Sequence, residues 1–526
     1  MKLQEIVATP YQGQEAIRRW IAMAVCVVAA LIISVWIATD HLLLLAVLAV
    51  ATLVVVAAVG LRHNTWLLIA FACCFTGDTN ALPIPLTIYD MVVLVVTASY
   101  VAQRLIGTPA ARRPLGLLDA LVAINCAVMT LTFLVHPVGL RSLGAETVGA
   151  RPYFNLFIAC CACWVLARQP DSYTHVSRIP LWIMAGMTIA TSLPLAAHIF
   201  PSLTPYVWFV SGNVDVTNYL EDIRVVTAMS GEHVRRLTEL GPFGLMLIQC
   251  LCAYYLPRSL LNPLRPRFYL FAIGLAAVLL AGYRNTLLFA FATLVLASWF
   301  RGGWRELVLG GAIGALTLGF VLVGQGRFYE LPMPAQRALS FLPGKWAEPV
   351  KEEAEDSNAR LDWWRQMLQE GVIKNWWIGD GFGLSEMDYE LLHGHSITEF
   401  AALSGAFHNG PLTAIRYAGV TGLVAFYALM LAAAVLSVTA VGRCRGTPLF
   451  PVAIFLAVQL VWLPVHYTFV FGAFNEELPN LIFLVGLLLL VRRLSARQPP
   501  RPPGSPAARH PLRNGRDFSS VASPQP

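Results

Sequence analysis

Stretches of nearly uninterrupted apolar residues, each close to twenty long, recur along almost the whole chain. A hydrocarbon core about 30 Å thick needs about 20 mostly apolar residues per helical crossing. Within it every backbone N–H and C=O must find its partner inside the structure, so runs of this length cross as α-helices. Hydrophobic residues make up 57% of the sequence and charged residues 13%, far from the balance of a soluble globular protein. The expected fold is therefore all-α: a polytopic membrane helix bundle of about 12–14 crossings, with one large hydrophilic loop carrying short helices.

The candidate crossings lie near 20–39, 42–61, 65–78, 86–104, 116–135, 152–167, 179–199, 241–257, 267–283, 285–300, 306–325, 411–437, 449–469 and 479–492, the third and the last being short. Arg18 and Arg19 precede the first run, Trp20 to Ala38, which is too long for a cleaved signal and reads as a retained helix. Nine of the ten cysteines sit inside apolar runs and Cys444 in a short basic connection. They form no disulfide framework or metal spacing and read as small buried residues.

Orientation follows from where the arginines fall, because cytoplasmic connections keep the positive charge. Connections holding Arg62, Arg104/Arg112/Arg113, Arg168/Arg178, Arg258/Arg265/Arg267, Arg301/Arg305, Arg443/Arg445 and Arg492/Arg493/Arg497 alternate with connections poorer in positive charge. The expected organisation is a cytoplasmic N-terminus (1–19), an N-terminal bundle (20–325) with an outer loop at 200–240, a large outer loop or lid (326–410), C-terminal helices (411–493) and a cytoplasmic tail (494–526). The tail is rich in Pro, Arg and Ser and cannot bury a core, so disorder is expected there. The loop 200–240 carries mixed charges, among them Asp215, Glu221, Arg235 and Arg236, and reads as a solvated face or lid.

Chemistry concentrates in and beside the hydrophilic island, about 325–409. Arg284 lies in Gly282-Tyr283-Arg284-Asn285, between two apolar halves at the outer edge. An arginine at that depth is costly unless it faces a cavity or a partner, which makes it a functional candidate; the bland alternative is a snorkelling helix-end arginine. Arg360 opens a segment in which Leu361, Trp364, Met367 and Leu368 share one helical face, preceded by the capping residues Asp356-Ser357-Asn358. Taken alone, Arg360 also fits a surface charge paired with Asp356. Gly379, Gly381 and Gly383 alternate in a tight turn whose amides could approach an anion, without the strand and helix a nucleotide loop requires. His408 and Asn409 stand where the chain returns to apolar sequence. A histidine there can take a proton from a hydroxyl near neutral pH; a lone histidine is more often structural.

Taken in order, Arg284-x-x-x-Leu288, Arg360 with Trp364, Gly379-x-Gly381-x-Gly383, and His408-Asn409 with Gly419 and Gly422 resemble the O-antigen ligase and polymerase superfamily. The likeness covers about 267–437; the N-terminal helices share only general hydropathy. It implies a glycan transferase of the bacterial inner membrane, working on the periplasmic face without metal or cofactor, with an undecaprenyl-diphosphate-linked glycan as donor and a glycan or lipid as acceptor. Arg284 and Arg360 would hold the diphosphate, a group that arginine forks suit, and His408 would activate the acceptor hydroxyl. Asn409, Gly379, Gly381, Gly383 and Arg416 would contact substrate. Membrane lipids, a chain-length regulator and export proteins are the implied partners, and nucleic acid is not. One position departs from the pattern: many members carry Glu where this chain has Tyr417. The expected activity is polymerisation of an exopolysaccharide or O-antigen repeat, with a ligase that transfers the glycan to a lipid acceptor as the alternative. A transporter or flippase is the alternative from another class, and a scaffold of an export complex is a third; the chain shows no convincing internal repeat of the kind carriers have.

Overall fold

In the computed structural model of the protein, the residues described are 64–77, 86–105, 115–138, 149–168, 173–207, 210, 237–348, 350–351, 364–365, 368–369, 371–383, 407 and 409–497. The chain divides into two compact units, and all of these residues except 64 and 65 belong to one, 66–78 with 86–526. The first two candidate crossings, the loop 211–236 and the tail lie outside the described residues.

The apolar runs are helices. They are α1 (Leu67–Ala72), α2 (Ile88–Leu105), α3 (Leu117–Val135), α4 (Arg151–Ala167), α5 (Ile179–Ile199), α6 (Leu240–Tyr254), α7 (Pro266–Leu280), α8 (Arg284–Gly302), α9 (Trp304–Gly324), α10 (Met333–Leu339), α11 (Gly410–Cys444), α12 (Phe450–Val465) and α13 (Phe474–Ala496). Seven of them, α3, α5, α8, α9, α11, α12 with its continuation, and α13, are long and apolar enough to cross a membrane. Among the described residues there is no β-strand. The protein is an all-α, multi-pass membrane helix bundle.

Three runs depart most from the expected boundaries; the one expected at 411–437 continues to Cys444. The run 65–78 yields only the six-residue α1, about 9 Å of helix at 1.5 Å per residue, too short to cross. The run expected at 479–492 extends back to Phe474, with Glu476 and Glu477 in its first turn. Hydropathy places the two carboxylates outside the helix, yet a helix N-terminus favours negative charge.

Burial ranks the helices. α13 is buried over almost its whole length and packs along α4, α11 and α12. A helix apolar on every side belongs in the interior of a bundle. α9 packs chiefly against α8, with Val321 and Leu322 near its end against the island cluster, and leaves Leu316 and Phe320 largely exposed, as a lipid-facing edge would. α11 links the centre to the island. It starts where the island ends, packs on α3, α12 and α13, and is broken inside by Gly419.

Candidate functional site

Gly419 has φ +68° and ψ −176°, a left-handed conformation that only glycine adopts at low cost. It divides α11 into a nine-residue entrance, 410–418, and a long second half. A break inside an apolar bundle strands backbone groups at both half-helix ends, and each buried unsatisfied group costs about 1–3 kcal/mol. The island loop 375–381 meets them on both sides. The amides of Asp380 and Gly381 donate to the carbonyls of Arg416 (2.8 Å) and Tyr417 (3.1 Å) at the end of the first half. The carbonyl of Trp376 accepts from Val420 N (2.7 Å), and that of Trp377 from Thr421 Oγ1 (2.8 Å), at the start of the second. Thr132 Oγ1 of α3 donates to Ile378 O (3.0 Å) and fixes the loop from the other side.

Close approach is possible because both crossing points lack a Cβ. Gly379 has φ +81°, and a Cβ there would fall on the backbone of Ala418 and Gly419; a Cβ on Gly419 would fall on the carbonyl of Trp377. Beside the crossing, Arg416 Nη1 lies 2.5 Å from Asp380 Oδ2, with the two side chains only 7% and 9% exposed. Asp380 also accepts from the amides of Lys374 (2.9 Å) and Asn375 (2.8 Å). Phe382 packs its ring between Tyr153 and Tyr417, at 5.0 and 4.4 Å. Its carbonyl accepts from Gly149 N (2.6 Å) just ahead of α4.

This geometry redefines several expected site residues. The amides of Gly379, Asp380 and Gly381 are all bonded within the chain, so these three contribute a backbone shape and offer no free amide to an anion. Arg416 neither snorkels nor projects as a lone charge; Asp380 neutralises it in the interior. Asn409 caps α11, its side chain accepting from Leu412 N at 3.1 Å, which fixes how the chain turns into the bundle.

Arg284 opens α8, with Tyr283 in extended backbone before it. Its Nε points to the carbonyl of Arg337 at 3.5 Å, so the first helix of the island, α10, lies against this corner. A helix N-terminus with an arginine at its first position favours anions. Arg360 and His408 lie outside the described residues. Their neighbours meet: Trp364 Nε1 donates to Phe407 O at 2.8 Å, which ties the segment following Arg360 to the residue preceding His408. Phe407 is buried with Val372 and Leu412 against it. Of the face expected around Trp364, Leu368 is exposed rather than packed.

The turn between α12 and α13 reaches the same end of the bundle. Residues His466–Val470 form a π-helical turn, a form that recurs at functional positions. Tyr467, fully buried, donates from its hydroxyl to Gly410 O at 2.6 Å. Thr413 Oγ1 donates to Gly472 O at 3.2 Å. The ring of Phe289, in the second turn of α8, lies 6.4 Å from that of His466. The contacts therefore connect the Arg284 helix, the π turn and the start of α11.

Sequence reasoning missed Asp90 and Arg151, paired at 2.5 Å between α2 and α4 with side chains 3% and 6% exposed. A signal was present: Thr87 and Asp90 bond each other's amides at 3.0 and 2.9 Å, a capping box three residues apart. It also missed His466, Tyr467 and Glu477. Their signal is a pocket of polar residues between Pro464 and Pro479, in sequence otherwise suited to lipid.

Fold and site together define a multi-pass membrane protein in which a hydrophilic loop is laced into a broken helix beside a corner with basic and acid–base groups. No family model matches the chain, and no curated protein matches it in sequence.

Proposed function

We propose that the protein is a polyprenyl-diphosphate-dependent glycan transferase of the bacterial inner membrane, acting at the periplasmic face and extending an exopolysaccharide or O-antigen by its repeat unit. The observation that carries this reading is the bond between Trp364 and Phe407. It ties the segment that follows Arg360 to the residue that precedes His408, next to an α11 entrance that Asn409, Tyr467 and Thr413 hold fixed. Arg284, at the N-terminus of α8, supplies a second cation with a helix dipole behind it.

In this reading the two arginines hold the diphosphate and offset the charge that grows on it as the glycosidic bond breaks. His408 accepts the proton of the attacking sugar hydroxyl. The diphosphate leaves with the bonding electron pair, which needs no protein nucleophile. Transfer to a lipid acceptor in place of a growing glycan uses the same groups, so a ligase is the nearest alternative.

The break in α11 favours a second reading, a carrier. In many carriers unwound helices leave half-helix ends free to bind ions and substrate. Here the loop 375–381 occupies both ends, which supports the enzyme. A strain lacking the protein and complemented with His408→Ala tests the assignment. The expected result is normal membrane insertion with loss of polymer, and normal polymer would remove His408 from the mechanism.

A further inference from the structure

Beside the corner that holds Arg284, three helices and the π turn assemble a second cluster. The rings of Phe289 (α8) and Trp462 (α12) stack at 5.7 Å with 26° between their planes. His466 lies against both, at 6.4 and 6.5 Å, and Phe471 closes the far side of its ring at 6.5 Å. Glu477 Oε1, from the first turn of α13, stands 3.9 Å from His466 Nδ1. That separation exceeds a hydrogen bond, and both side chains keep 16–17% of their surface open. Trp462 Nε1 is buried and has no partner among the described residues. A buried unpaired donor is costly, and each one in a native fold calls for an explanation.

Aromatic rings, a carboxylate, an imidazole and an orphan N–H gathered in one cluster suit a single ligand class. A pyranose presents an apolar C–H face to aromatic rings and hydroxyls to the polar groups at its rim. A bare isoprenoid chain would use the rings and leave His466 and the indole N–H unmet, with Glu477 bonded by Asn480 alone. An anion would meet Glu477 and Glu476, both in the first turn of α13. We infer that Phe289, Trp462, His466 and Glu477 form a sugar-binding subsite, which receives the first sugar ring of the lipid-linked glycan next to its diphosphate. Trp462 Nε1 donates to a ring hydroxyl, Glu477 accepts from one, and His466 bridges them. The π turn is what assembles the cluster: His466 stands by Glu477 while Tyr467, the next residue, locks onto Gly410. This inference rests on the transferase reading for the identity of its ligand.

Native mass spectrometry of the whole protein released from nanodiscs tests it, with undecaprenyl diphosphate and undecaprenyl-diphosphate-linked oligosaccharide as the two probes. The wild type is expected to bind the glycan-bearing lipid about tenfold more tightly than the bare lipid, the effect of one good hydrogen bond. Trp462→Phe and Glu477→Gln, each checked for monodispersity, should erase that preference and leave bare-lipid binding unchanged. Equal binding of both probes by the wild type, or a preference that survives in both variants, overturns the subsite and leaves the transferase reading standing. Variants that lose both probes equally assign these residues to structure and overturn the subsite as well. Failure of the wild type to bind either probe overturns the transferase reading, and the subsite with it.

Discussion

Two polar clusters lie on the path of α11, and they are built in opposite ways. At the break, Asp380 and Arg416 are pressed together at 2.5 Å out of solvent, and the amides of Asp380 and Gly381 and the carbonyls of Trp376, Trp377 and Ile378 are taken by α11 and α3. At the island end, His466 and Glu477 face each other at 3.9 Å, partly open, beside an unpartnered indole N–H. The first cluster spends its carboxylate and its loop amides inside the fold, although Arg416 Nε and His136 Nε2 beside it are buried without partners among the described residues. The second keeps a carboxylate and an imidazole partly open. An ion pair pressed together out of solvent fixes a conformation, whereas partly open polar groups at a bundle end remain available to a substrate. The glycine-rich turn, the more conspicuous motif, is therefore the structural device, and the plainer stretch around 462–477 is the better place for recognition.

Variants can break this contrast, in decreasing order of effect. Arg284→Ala, Arg360→Ala or His408→Ala should each lower polymer synthesis by on the order of a hundred- to ten-thousand-fold with the protein still inserted, the range for loss of an acid–base or charge-stabilising group; glycan gels of complemented strains read it. Asp380→Ala leaves Arg416 buried and unpaired, a change of about 3–5 kcal/mol, so folded protein should fall sharply in thermal unfolding assays. Removing both charges with Asp380→Ala and Arg416→Met should recover much of that loss, and failure to recover would mean that Asp380 matters for its amide contacts instead. Gly419→Ala forces a side chain into left-handed backbone and onto Trp377 O, at about 1–3 kcal/mol. A lowered melting temperature is expected, together with faster proteolysis of the island loop. Asn409→Ala removes an N-cap worth about 1 kcal/mol and should reduce activity modestly with little change in stability. If Asp380→Ala were as stable as wild type and inactive, the contrast between the two clusters would be reversed.

How much of this was legible beforehand depended on what the signal was. Helices announced themselves by length and hydropathy, and α3, α5, α8 and α9 fall within about two residues of the runs that the sequence marked. α13 did not, because Glu476 and Glu477 resemble a loop until the helix dipole and the neighbouring α11 are considered. Arg284 stood out as a charge between apolar halves. Gly379 and Gly419 were both visible as glycines, but their crossing joins segments forty residues apart, and nothing local specifies that one backbone passes over the other. The Asp90–Arg151 pair was hidden for the same reason: the capping box with Thr87 marks Asp90 only as a helix start, and packing of α2 on α4 is what makes Arg151 its partner.

The most direct test of the proposed function uses the purified protein in proteoliposomes with an undecaprenyl-diphosphate-linked repeat unit, resolving products by chain length. Glycans lengthened by whole repeats, with undecaprenyl diphosphate released for each transfer and none formed by His408→Ala, are the predicted result. A lipid-linked repeat that crosses the bilayer and keeps its original length would contradict it.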